Sequence, residues 1–327
     1  MSPLLGACLL LGLAADERRT VPVVCPLDGT AFTAIEIVVT NQWGGIDADF
    51  CPHAYKTTPL EFRVWTCPSC GFTGRKQDFA GRLSEEGKKA LREGLKPGAP
   101  IRKGASQAEI PGHLKYDLWA QALRIRGAPP EEVGRAWLHA AWSCRQQGAV
   151  ALDGFDEWES LGAAYGLNQT PLQLGRKNRT DLELEAARKV ARDVEGKRYE
   201  RGVLRTLARY LAAYLFRRHG ENAEAERWLK ALEPLRGENS VADEAADRMR
   251  ESIERERGYL EKALGAYTEA LERGPRQAAE IAYLTGELNR RLGRPEAAAA
   301  AYRKAIETAP AGGLRDLATR QKALVEK

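Results

Sequence analysis

The sequence predicts a mainly α-helical protein: an α–α superhelix of repeated helix pairs, preceded by a small β-rich module built on a metal knuckle. Three observations carry this reading. Short β-branched and aromatic runs are confined to the N-terminal part of the chain, a Cys67-Pro68-Ser69-Cys70-Gly71 motif lies among them, and beyond Leu114 Ala, Leu, Arg and Glu dominate with helical periodicity. At 327 residues the chain is long enough for about two domains. A composition of 43% hydrophobic and 29% charged residues excludes the disordered, collagenous and membrane-embedded classes. The 50 Lys and Arg against 45 Asp and Glu leave a formal charge of only +5, too even a balance to imply nucleic acid by charge alone. Six cysteines in so long a chain are too few for a disulfide scaffold, so their spacing carries their meaning.

Residues 1–15 open with an apolar run, PLLGACLLLGLAA, shorter than the roughly 20 residues a spanning helix needs. It fits a signal-peptide core with a small-residue cleavage site at Gly12-Leu13-Ala14, although no Lys or Arg precedes it. Leu5-Gly6-Ala7-Cys8 has the form of a lipoprotein box with too little apolar chain before it. Cytoplasmic residence and export through a short or truncated signal peptide both stay open.

Residues 20–80 read as the β-rich module, with runs at 35–40 and 61–66 separated by Gly, Pro, Asp and Asn. Residues 81–112 read as a connector holding one helix, from Ser84 to Leu95, before the turn formers Pro97-Gly98-Ala99-Pro100 and Pro111-Gly112. Residues 113–327 read as helix throughout, with Leu204, Leu207, Leu211 and Leu215 on one face.

Within that helical part Gly258, Ala263, Tyr267, Ala270 and Pro275 recur as Gly293, Ala298, Tyr302, Ala305 and Pro310, each pair 35 positions apart as 258 is from 293. This is close to the 34-residue period of tetratricopeptide repeats. The spacing assigns Gly to the turn between paired helices, Ala to close approach, the aromatic to the gap and Pro to the end of the second helix. Gly286 supplies the small residue of a first helix, and Gly220, Ala225, Trp228, Ala231 and Pro234 form a degenerate earlier copy. A plain antiparallel bundle would use the same positions as core, but five agreements at one offset favour the repeat. Such arrays present a concave face to proteins or peptides. Tyr283, Asn289 and Arg290 are the expected partner-binding residues.

Two thiolates separated by two residues, with Pro shaping the turn and Gly permitting a positive φ, make a knuckle whose amides face the sulfurs and a tetrahedral Zn2+. Cys25-Pro26-Leu27-Asp28-Gly29 repeats the frame with Asp28 in place of the second cysteine. The expected ligands of a structural zinc are therefore Cys25, Cys67 and Cys70 with Cys51, favoured because closed sites are rich in sulfur; Asp28 and His53 are the alternates for the fourth position. A dithiol redox centre is disfavoured, since Gly71-Phe72-Thr73-Gly74 does not begin a helix. Disulfides would replace the metal if the protein were exported, and a catalytic zinc would need an open position that no His or Glu spacing supports. Cys144 reads as a small buried residue.

The order Cys25-Pro26, Phe32, Asp49-Phe50-Cys51-Pro52-His53, Pro59 and Cys67-Pro68-Ser69-Cys70-Gly71-Phe72 resembles the bacterial family called domain of unknown function 2225. The resemblance implies a zinc-ribbon-like N-terminus followed by tetratricopeptide-like helices, and no reaction. Many members carry a second cysteine in the first knuckle, so Asp28 is a departure that bears on the ligand set.

No phosphate-binding Gly-rich loop, His-Glu-x-x-His motif or nucleophile elbow occurs. His53, His113, His139 and His219 are scattered; His139 reads as a packing residue, and His219 as a helix cap before Gly220. No catalytic residue is assigned. Arg217-Arg218 and Arg290-Arg291 read as solvated helix ends. Arg63, Trp65, Arg75 and Lys76 could meet nucleic acid, against the nearby Asp47, Asp49 and Asp78. The function expected is a non-catalytic, zinc-stabilised scaffold or adaptor binding a protein or peptide partner. A regulator whose ribbon contacts nucleic acid, and a metal-dependent or thiol-redox enzyme, are the alternatives.

Overall fold

The computed structural model describes residues 17–41, 43–54, 59–169 and 178–326. The apolar run at 3–15, including Cys8, lies outside them.

Strands β1 (Glu17–Val24) and β2 (Ala31–Val39) form an antiparallel hairpin, pairing Val24 with Ala31 beside the turn. The second β-run behaves differently from its sequence pattern. Leu60–Phe62 turns as one 3-10 helix with Leu60 and Phe62 buried, and only Trp65–Thr66 (β3) pairs with Thr73–Gly74 (β4). Gln107 reaches in from the connector, its side chain accepting from Thr66 N–H at 3.0 Å and donating to Thr66 C=O at 2.7 Å, which occupies the backbone groups of a potential longer ladder. Val23, Cys25, Leu27, Trp65, Cys67, Phe72, Phe79 and Leu91 close a small core around both hairpins.

Helix α1 (Lys76–Ala80) is short, and α2 (Glu85–Gly94) starts where Ser84 Oγ accepts from Gly87 N–H at 3.1 Å, the cap its sequence predicts. The helical array follows: α3 (Gly112–Ile125), α4 (Pro130–Gly148), α5 (Asp156–Ala164), α6 (Arg179–Glu195), α7 (Val203–Arg218), α8 (Asn222–Leu232), α9 (Ser240–Glu272), α10 (Ala278–Arg291), α11 (Pro295–Thr308) and α12 (Gly313–Val325). Leu207, Leu211 and Leu215 are buried in a core of α5 to α8 and the first half of α9, while Leu204 stays partly exposed in the first turn of α7. A second core joins α3, α4, the second half of α9 and α10 to α12.

The repeat positions divide into two kinds. Gly220 and Gly293 close turns with φ of 70° and 72°, and Tyr302 of α11 lies over Gly286 of α10, where an added Cβ would sit 2.5 Å from the ring. Gly258 closes no turn: it lies inside the 33-residue α9. Tyr267 of α9 instead covers Gly134 of α4, a helix distant in sequence, where a Cβ would sit 2.8 Å from its ring. Gly148 meets Ser252 at the other end of the pair, so α4 and α9 run antiparallel. The Tyr-over-Gly contact thus recurs, once between neighbouring helices and once across the chain.

Candidate metal centre

The two knuckles are built alike. Gly29 N–H donates to Cys25 C=O and Cys25 N–H to Thr30 C=O, both at 2.9 Å; Gly71 N–H donates to Cys67 C=O at 3.0 Å and Cys67 N–H to Phe72 C=O at 2.9 Å. Gly29 and Gly71 take φ of 76° and 74°, the left-handed region that admits glycine without strain. Equivalent frames place Asp28 where the second knuckle has Cys70.

The side chains converge accordingly. Cys25 Sγ lies 3.6 Å from Cys70 Sγ, and Cys67 Sγ lies 3.7 and 3.8 Å from the carboxylate oxygens of Asp28. One donor atom from each of the four residues lies within 4.8 Å of all the others. Tetrahedral coordination with metal–sulfur bonds of about 2.3 Å sets sulfurs about 3.8 Å apart, so this donor set fits one tetrahedral ion. Cys25 and Cys67 are buried, Cys70 is partly covered and Asp28 is exposed, which leaves the carboxylate side open to water. Hydrogen bonds from the thiols of Cys25 and Cys70 bring Cys67 down to about 3, while the bond to Cys67 pushes Cys25 up to about 12. Burial opposes ionisation of Asp28, but bonds from Thr30, Ser69 and Cys25 hold it at about 2. The five described cysteines are free thiols.

Cys51 is not in this cluster. Its thiol is buried in the helical core, 3.4 Å from Gln146 Nε2, and burial pushes its pKa well above the ordinary thiol value. The reason lies in its neighbours: Asp47 and Asp49 draw loop 44–54 away from the knuckles and in among the helices. Arg145 Nη1 donates to Asp47 at 3.0 Å, and its Nη2 to Asp49 at 2.7 Å and to Glu256 at 2.8 Å. Arg217 pairs with Glu256, Arg291 Nη2 lies 3.2 Å from Asp49, and Trp142 Nε1 donates to Asp49 at 3.0 Å. Arg145, Arg217, Asp49 and Glu256 have no exposed side-chain surface. Arg217 and Arg291 are therefore buried ion-pair partners rather than solvated helix ends.

His53, the other alternate ligand, belongs to the same junction. Its Nε2 lies 2.9 Å from one Asp47 oxygen, while His219 Nδ1 lies 2.8 Å from the other and His219 Nε2 lies 2.9 Å from Glu183. Asp47, His53 and His219 are residue types that ligate metals, but these separations are those of charge-assisted hydrogen bonds, and Arg145 already shares Asp47. Burial disfavours the imidazolium of His219, yet Asp47 and Glu183 at its two nitrogens raise its pKa; burial lowers that of His53. His219 thus ends α7, as its sequence position suggests, and also pairs two carboxylates.

The three expected partner-binding residues face this junction or its rim. Tyr283 is buried, its hydroxyl donating to Ala48 C=O at 2.6 Å with its ring 5.2 Å from that of Phe50. Asn289 is buried and donates to Thr285 C=O at 2.9 Å, and Arg290 pairs with Glu221 at 3.0 Å and Glu287 at 3.2 Å. Tyr283 is thus covered by the chain's own loop, while Asn289 and Arg290 are engaged by partners within the fold.

Comparison with known families accords with this division. A family model described as an uncharacterized protein conserved in bacteria, DUF2225, matches residues 20–255, from the first strand into α9. The chain belongs to this family. A tetratricopeptide-repeat model matches residues 252–313, which hold the second half of α9, α10 and α11. No curated protein and no solved structure matches the chain. The DUF2225 region of this chain thus includes both knuckles, the acidic loop and α4, while the tetratricopeptide region supports a role in protein–protein interaction. No helix among the described residues is long and apolar enough to cross a membrane.

Proposed function

We propose that the protein is a non-catalytic scaffold, stabilised by one structural Zn2+, that binds another protein through its helical array. The observation that carries the reading is the tetratricopeptide match over helices that pack in the manner of such repeats, Tyr302 lying over Gly286. Zinc suits three thiolates and a carboxylate, and it supplies the stabilisation that a module with so small a core needs. The tethered module then holds loop 44–54 in the array, where Asp47 and Asp49 neutralise Arg145 and Arg291 and fix how α4, α9 and α10 meet. In this reading a partner contacts the outward side of α9 to α11, since loop 44–54 packs against Tyr283 and Arg291 of α10. Cross-linking in bacterial cells that carry the protein, followed by binding of the purified partner, tests it. The reading expects cross-links within 252–313 and binding that survives high salt. Cross-links confined to the N-terminal module, or strongly salt-dependent binding to nucleic acid instead, would favour the regulatory alternative.

A further inference from the structure

Between the β-rich module and α3 and α4 lies a cavity of about 350 Å³. Phe62, Trp65, Tyr116 and Trp119 give it aromatic walls, Arg63, Arg75 and Lys76 a basic side, and His139 stands among the lining residues. The sequence placed Arg63, Trp65, Arg75 and Lys76 near the knuckle; the fold puts all four around one hollow.

The charge there is not balanced internally. Glu36, the carboxylate of the lining, is held by Lys76 at 2.9 Å and by Arg19. Among the described residues Arg63 makes no ion pair, and the Arg75 guanidinium lies 4.7 Å from the Trp119 ring centroid without a carboxylate partner. Two polar atoms of the lining are also unsatisfied: Trp119 Nε1 and His139 Nδ1 are buried and have no hydrogen-bond partner among the described residues. Burial, with Arg63 and Arg75 nearby, brings His139 down to about 3, so its ring is neutral and offers a donor and an acceptor. Buried polar atoms of this kind are ordinarily paired, and uncommitted arginines beside aromatic walls suit a planar anion.

We infer that this cavity binds a small organic oxyanion carrying a flat ring, with the phosphate or carboxylate at Arg63 and Arg75 and the ring among Tyr116, Trp119 and His139. The site is independent of the metal and of the partner-binding helices. Adenosine 5′-monophosphate represents the phosphate form of this chemistry, 4-hydroxybenzoate the carboxylate form, and a short single-stranded oligonucleotide the case in which the nucleotide belongs to a nucleic acid. Each is titrated into the full-length, metal-replete protein by calorimetry, with adenosine and inorganic phosphate as ring-only and charge-only controls.

At least one of the two small anions is expected to bind with a dissociation constant below about 1 mM and more tightly than either control. Arg63→Gln, an exposed change, is expected to weaken it roughly tenfold or more while the thermal unfolding midpoint stays put. Quenching of tryptophan fluorescence by the bound anion, lost in Trp119→Phe, would place it in this cavity. Tighter binding of the oligonucleotide, weakened by the same substitutions, would assign the site to a nucleotide within a strand. Absence of binding by every ring-bearing anion, or binding that Arg63→Gln and Trp119→Phe leave unchanged, would overturn the inference.

Discussion

Asp28 occupies in the first knuckle the place that Cys70 occupies in the second, each one residue before a glycine with φ near 75°. The two side chains face a common point with Cys25 and Cys67. A site of three sulfurs and one oxygen follows, with its oxygen exposed to water. Substitutions at Asp28 should therefore tune the site without dismantling it. Asp28→Cys is expected to retain the metal and hold it more tightly, and Asp28→Ala to weaken it by at least about 10–100-fold, the cost of losing even an outer partner of a ligand. Competition with a chromophoric chelator measures both.

Cys67 should behave otherwise, since it is a buried thiol of the cluster where Asp28 is exposed. Cys67→Ser is expected to abolish metal binding and unfold the N-terminal module, and a strong chelator should do the same to the wild type. The loss of Trp65 burial, followed by fluorescence, reports the module, while the helical signal in circular dichroism falls only in part.

Arg145 ties Asp47, Asp49 and Glu256 together with no exposed surface of its own. Removing it strands carboxylates in the interior, so Arg145→Met should destabilise the protein by about 3–5 kcal/mol. Urea unfolding read by helical circular dichroism checks the figure.

Gly258 stands at the turn position of the repeat pattern and Gly286 inside a first helix, and their surroundings differ. A Cβ at Gly286 would strike Tyr302 at 2.5 Å, whereas one at Gly258 meets nothing within 4 Å inside continuous helix. Gly286→Ala should cost about 1–3 kcal/mol through overpacking, and Gly258→Ala should stabilise by up to about 1 kcal/mol through helix propensity. Thermal melts of the two variants distinguish a long α9 from a turn at Gly258.

The pH dependence has a defined sign at His139. Burial first, and then Arg63, Arg75 and Arg135, bring its pKa from 6.5 to about 3 in the folded protein. The unfolded chain therefore binds the proton more readily. The stabilising contribution is fully present above pH 6.5 and is lost as pH falls towards 3, with a slope of up to about 1.4 kcal/mol per pH unit. His139→Phe should flatten the stability profile across that window relative to the wild type, as measured by urea midpoints.

The parts legible in the sequence are those with local periodicity or a fixed local frame. Ser84 capping α2, the two glycine-ended knuckles and the apolar stripes of the array are all local. The long-range pairings were not legible from repeat spacing alone. Gly258 stands at the repeat position of Gly293, yet it lies within α9 because Tyr267 finds its small partner on α4. Cys51 has the chemistry of a ligand, but its position is decided by Asp47 and Asp49, whose partners are contributed by distant helices. A trace of that junction does exist in the sequence. Arg145 continues the buried stripe of Leu138, Ala141 and Trp142, and Glu256 continues that of Met249, Ser252 and Ile253, so each charge sits on a face that is otherwise buried. A charge on such a stripe needs an internal counter-charge. That Tyr283 is covered is not legible locally, because Ala48, which its hydroxyl meets, lies more than two hundred residues earlier in the chain, and the Glu221 partner of Arg290 likewise comes from another helix pair.

The coordination of the metal tests the account most directly. X-ray absorption at the zinc edge, on protein purified without added zinc or chelator, is expected to show three sulfurs at about 2.3 Å and one oxygen at about 2.0–2.2 Å, with no imidazole scattering. Four sulfurs, or an imidazole, would contradict the role of Asp28; and no zinc at all would remove the centre on which the scaffold is proposed to rest.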